Sequence, residues 1–74
     1  MGTTADPIAE PAPSVADKAG IAGRITSLLG TENPDSIREV ALATGDARYK
    51  VAIVIGEMLD AGQITGPQGG FRNL

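Results

Sequence analysis

Cysteine and histidine are both missing from the 74 residues. Without cysteine there is neither a disulfide nor a thiolate metal site. Without histidine the usual general base and the commonest metal ligand are gone. No run approaches the roughly 18 consecutive apolar residues of a membrane-spanning helix. The N-terminus has no basic region leading into an apolar run, so it does not read as a signal peptide. Together these absences predict a soluble cytoplasmic protein with no metal, no cofactor and no small-molecule ligand. An excess of positive charge is lacking too. The net charge of −3 argues at first against nucleic acid, because binding phosphates usually leaves a basic footprint.

The distribution of charge and proline softens that objection. The opening stretch MGTTADPIAEPAPS holds three of the five prolines and no apolar periodicity, so residues 1–13 are expected to form a disordered leader or linker. About 60 residues then remain to fold, a size at which burial is marginal and the architecture must be simple. Asp6 and Glu10 belong to the leader, which leaves six basic and seven acidic residues in 15–74.

Three helical patterns occupy most of that remainder. In the first, Ser14 is placed as an N-cap with Asp17 three residues on. Ile21, Ile25, Leu28 and Leu29 recur on one face, and Gly30 suits a left-handed C′ position that stops the helix. Gly20 and Gly23 weaken its middle, and are expected to permit a close helix approach. Residues 31–34 form a connector with room for a very short strand. Asp35 or Ser36 then caps a second helix, SIREVALAT, whose inner face is Ile37, Val40 and Ala41. Thr44-Gly45-Asp46 is a break, with Asp46 able to cap the next helix. The third helix spans residues 47–61, with Val51, Val54, Ile55, Met58 and Leu59 inward and Gly62 as its C′ glycine. VAIVI alone is compatible with a buried strand, but the segment between the two turn signals is too long for one strand and favours helix.

Gln63-Ile64-Thr65 and Phe71-Arg72-Asn73-Leu74 flank the loop Gly66-Pro67-Gln68-Gly69-Gly70, the clearest hairpin signal in the chain. Ile64 and Phe71 can cover the end of the core. Phe71, the one phenylalanine, is expected to anchor the hairpin rather than stack on a nucleobase. Two helices joined by a tight turn, then a hairpin, give the layout of a small winged helix. The fold class expected is therefore α+β, three helices plus a C-terminal β-hairpin wing.

In that layout the start of the third helix enters the DNA major groove. Those positions hold Ala47, Arg48, Tyr49 and Lys50. Arginine suits a bidentate contact with guanine, lysine serves guanine or phosphate, and tyrosine donates to phosphate or stacks. Ala47 and Ala52 would allow close approach or touch a thymine methyl. Arg72 lies where a wing meets the backbone or minor groove, although an exposed edge strand also favours a solubilising charge there. Arg38 begins the second helix, where helix-end amides also face phosphate; a partner for Glu39 or another acid is an equally good account of it. Ile53 points away from the inner stripe, either as a lone exposed apolar residue or as part of a partner patch.

Catalysis is not expected. No pair of carboxylates is embedded in an apolar pattern that would raise a pKa. GPQGG is neither a P-loop nor a dinucleotide fingerprint, since no helix follows it.

The run from Ser36 to Leu74 resembles winged-helix domains. Its spacing of Gly45 and Gly62 around Val51, Ile55 and Met58 is similar to MarR-like regulators. The pattern of Ile55, Met58, Gly62, Ile64, Gly66-Pro67, Gly69/Gly70 and Arg72 resembles the C-terminal DNA-reading domain of FtsK/SpoIIIE-type DNA translocases and their conjugative TraB-type relatives. Asp46 departs from the regulator pattern, Gly56 interrupts the third helix, and no motor is present. The resemblance implies a targeting domain of a larger protein, reading double-stranded DNA through Arg48, Tyr49 and Lys50, with Arg72 in the wing role. Any homo-oligomer would then form through the parent protein. The rival expectations are a small plasmid- or phage-type transcriptional regulator and a winged helix used for protein–protein contact.

Overall fold

A computed structural model describes residues 12–74. Its elements run α1 (Val15–Leu29), α2 (Ile37–Thr44), α3 (Arg48–Asp60), β1 (Ile64–Thr65) and β2 (Arg72–Asn73). The two strands pair antiparallel, Ile64 opposite Asn73 and Thr65 opposite Arg72. The described residues thus form a small α+β fold of three helices and a two-stranded hairpin. The leader expected over residues 1–13 lies almost wholly outside the described residues. Of its last two members Pro13 is buried, so ordered packing begins before the first helix.

Serine caps open the first two helices. Ser14 Oγ accepts from the Asp17 amide at 3.0 Å, and Ser36 Oγ accepts from the Glu39 amide at 3.1 Å. Each satisfies an amide that the helix itself leaves without a partner. Ser36, not Asp35, is therefore the α2 cap. Helix α2 ends on Gly45 at φ 80°, a left-handed conformation that a side chain would strain. Helix α3 ends in a paired motif: the Gly62 amide donates to Leu59 O (3.1 Å) and the Gln63 amide to Met58 O (2.9 Å). That is the Schellman arrangement, with Gly62 at φ 73°. The VAIVI run is helical throughout.

Four expectations are corrected. Gly30 is right-handed, at φ −75°; α1 instead closes through the amides of Thr31 and Glu32, both donating to Leu28 O. Gly20 and Gly23 admit no neighbouring helix. A Cβ on Gly23 would meet nothing within 4 Å, and one on Gly20 only the Arg24 guanidinium of its own helix. Asp46 does not cap α3, whose N-cap is Ala47 with no side-chain hydrogen bond. Leu59 is 37% exposed, so the buried stripe of α3 is Val51, Val54, Ile55 and Met58 only.

These four pack with Ile21, Ile25 and Leu29 of α1, Val40 and Ala41 of α2, and Ile64 and Phe71 of the hairpin. Ile37 and Leu28 border that cluster. Among the described residues no polar or charged residue is buried. The core is therefore held by apolar area alone, and the polar groups are left to fix how the elements face one another.

The hairpin is tied to the helices by backbone and amide contacts. The Phe71 amide donates to Pro34 O at 2.8 Å, and Asn33 Nδ2 donates to Phe71 O at 2.9 Å. The connector thus lies against β2 as a third strand would, although no strand forms there. Asn73 Nδ2 reaches Thr26 O on α1 at 3.0 Å. Phe71, 4% exposed, is the anchor expected of it. Gly70, at φ 91°, sits against Asn33 so closely that a Cβ would collide with the Asn33 carbonyl.

Candidate functional site

The basic side chains divide into two sets by what they touch. Lys18 Nζ lies 2.9 Å from Glu57 Oε2, Arg24 Nη2 2.7 Å from Asp46 Oδ1, and Lys50 Nζ 3.5 Å from Asp17 Oδ2. The other three described cations, Arg38, Arg48 and Arg72, have no carboxylate within 4.0 Å among the described residues. All three are exposed. Arg38 sits in the first turn of α2, Arg48 opens α3, and Arg72 is the first residue of β2. Among the described residues Arg38 pairs neither with Glu39 nor with another acid.

The sequence-expected residues at the start of α3 part company here. Ala47 and Arg48 are exposed, whereas Tyr49 and Lys50 are half-buried. Lys50 leans toward α1 to meet Asp17, and Glu57, two turns on, meets Lys18 on that same helix. Both pairs are at the surface, where each contributes about 0–1 kcal/mol; their effect is to orient α3 against α1. Arg72 Nη2 reaches Gly69 O at 3.4 Å, which holds the side chain over its own loop.

Helix α3 also differs from its neighbours at its N-terminus. Ser14 and Ser36 cap the amide ends of α1 and α2 with their hydroxyls, whereas no side chain caps α3, where the Lys50 amide donates to Ala47 O at 3.1 Å and the amides of Arg48 and Tyr49 are left open. Unfilled amides at the positive end of a helix dipole favour an anion. Arg48 stands at that end with no acidic residue in the first turn.

Sequence reasoning missed the pairing of Arg24 with Asp46. Arg24 Nε donates to Asp46 Oδ2 at 2.8 Å and Nη2 to Oδ1 at 2.7 Å, a two-pronged contact from α1 to the α2–α3 turn. The partners are 22 positions apart, and no local pattern announces such a contact. It sets the turn that precedes α3 against α1. The guanidinium's hydrogen bonds hold the Asp46 carboxyl below the ordinary aspartate range, outweighing the desolvation that pulls it upward. A carboxyl depressed by folding stabilises at pH values above its unfolded pKa, and that contribution is lost as pH falls through the folded value. The parent should therefore lose stability below about pH 4 more steeply than Asp46→Asn. Thermal melts of both proteins from neutral to acid pH check this, and parallel curves would remove the pair's role.

Among the described residues no three acidic side chains gather as metal ligands would, and no helix is long and apolar enough to cross a membrane. Comparison with family models, curated proteins and solved structures gives no match.

Proposed function

We propose that the chain is a winged helix that binds double-stranded DNA, with α3 in the major groove and the β1–β2 hairpin as the wing. The observation that carries this reading is the set of cations with no carboxylate partner among the described residues. Arg38, Arg48 and Arg72 stand on the three elements that such a domain turns toward a duplex, while the remaining described cations are engaged within the protein. The uncapped α3 N-terminus adds a site for a phosphate or an arginine-led base contact. A net charge of −3 does not oppose this, because local rather than total charge meets the phosphates. It does imply modest affinity for arbitrary sequence.

The wider role is a targeting domain that directs a larger protein, such as a DNA translocase, to sequence repeats. What supports it is the hairpin pattern from Gly62 through Arg72, whose Gly62, Gly66, Gly69 and Gly70 all take positive φ. Leu42, 70% exposed, and Ile53, 39% exposed, favour the second reading, a surface for another protein.

Ionic strength separates the two. With about two phosphates neutralised, by Arg38 and Arg72, log K against log salt for a duplex should have a slope near −2. A slope near zero, or no duplex binding at low salt, overturns the DNA reading in favour of an apolar protein contact.

A further inference from the structure

The middle of the α3 face directed away from the core carries nothing that can hydrogen-bond a base edge, its polar groups lying at the two ends, Tyr49 and Asp60. Val51, Val54, Ile55 and Met58 take the inner side, and Lys50 and Glu57 are engaged by α1. At 3.6 residues per turn, spacings of three and four put Tyr49, Ala52, Ile53, Gly56 and Asp60 together opposite that core. Ala52 and Gly56 are exposed, Tyr49 is half-buried, and Ile53 is 39% exposed. Of these five only Tyr49 and Asp60, at opposite ends of the row, have polar side-chain atoms.

Gly56 adds a separate observation. Glycine weakens a helix interior relative to alanine, yet a Cβ at Gly56 would meet nothing within 4 Å. Nothing inside the protein requires a bare backbone there. Gly23 of α1 is equally open; what sets Gly56 apart is its place on the outward face of the helix whose head carries Arg48.

The major groove offers one apolar feature, the C5 methyl of thymine; its other features are hydrogen-bond donors and acceptors. A face of alanine, isoleucine and glycine can discriminate among bases only through that methyl. Arg48 at the head of the same helix, with Arg38 and Arg72 on neighbouring elements, supplies charge complementary to a duplex and not to an apolar protein partner. We infer that α3 reads thymine methyls through Ala52 and Ile53, with Gly56 letting the helix lie close in the groove, so that the target carries thymine at the centre of the α3 contact. The inference rests on the DNA-binding reading above and adds the base chemistry that α3 recognises.

The test uses the full 74-residue chain. Duplexes are selected from a random library, and each thymine of the selected site is replaced in turn by deoxyuridine, which lacks only the methyl. One or two replacements should weaken binding about fourfold each, the effect of one buried methylene-sized group. Ile53→Ala, checked for folding by its melting curve, should bind the thymine and deoxyuridine forms of the Ile53 position alike. Gly56→Ala should melt higher than the parent and bind more weakly. If no duplex is enriched, the DNA reading fails and this inference with it. If a duplex is enriched with a steep salt dependence but the parent is indifferent to every replacement, the thymine inference alone is overturned. Undiminished methyl sensitivity in Ile53→Ala likewise overturns it.

Discussion

Arg48→Ala is expected to weaken binding to the preferred duplex by about 1–3 kcal/mol, one to two orders of magnitude, and to relax preference at one base pair. The expectation follows from where the side chain stands. Arg48 is the first residue of α3, exposed, without a carboxylate partner among the described residues. The helix end that carries it has no capping side chain. A guanidinium so placed is free to make the two-pronged contact with guanine that arginine favours. Arg72→Ala should behave differently. On the hairpin, with its head over the Gly69 carbonyl, Arg72 is positioned for backbone phosphate, so its loss should weaken all sequences alike and make the salt slope shallower by about one. Fluorescence anisotropy on specific and scrambled duplexes distinguishes the two patterns. Should both variants bind like the parent, α3 and the hairpin are not the contact surface.

Phe71→Ala should be the most damaging core substitution, lowering stability by about 3–5 kcal/mol. For a domain of this size total stability is about 3–9 kcal/mol, so much of the population would unfold near physiological temperature. Phe71 is 4% exposed and is the sole aromatic in the buried cluster. Its own backbone is bonded on both sides, to Pro34 O through its amide and to Asn33 through its carbonyl. Removing the ring therefore leaves a cavity beneath a hairpin of two-residue strands, which has little else to hold it. Denaturant melts followed by circular dichroism measure the loss. A change below about 1 kcal/mol would mean that the hairpin is held by its backbone contacts alone.

The helices were legible because their punctuation is local. Ser14, Ser36, Gly45 and Gly62 act within one turn of themselves, and each does what its residue type favours. The same reasoning resolved VAIVI, whose β-branched composition was outweighed by the distance between Gly45 and Gly62. Gly30 failed as a left-handed stop because the Thr31 and Glu32 amides continue to bond back to Leu28, and a right-handed path satisfies the same carbonyl. Asp46 failed as a cap because Arg24, far away in sequence, offers its carboxylate two charge-assisted hydrogen bonds. Leu59 failed as core because the seam on α3 is narrower than a periodic stripe suggests.

The candidate site shows the same division. Exposure of Arg38, Arg48 and Arg72 follows from helix and strand position, and sequence placed all three on outward-facing elements. Lys50 was assigned to the outward surface with Arg48 and Tyr49, but its position two residues into α3 points it at Asp17 on α1. Only the packing of α1 against α3 reveals that. Gly56, legible merely as an interruption, lies exposed on the outward face of α3 with open space around it.

Backbone amide chemical shifts, followed while a selected duplex is titrated into the full chain, test the central claim most directly. The changes should concentrate on residues 47–53 at the start of α3, on the loop and strand through Arg72, and at the head of α2 around Arg38. Changes centred instead on the α1 face around Val15 and Lys18, or none at saturating duplex, would contradict the account.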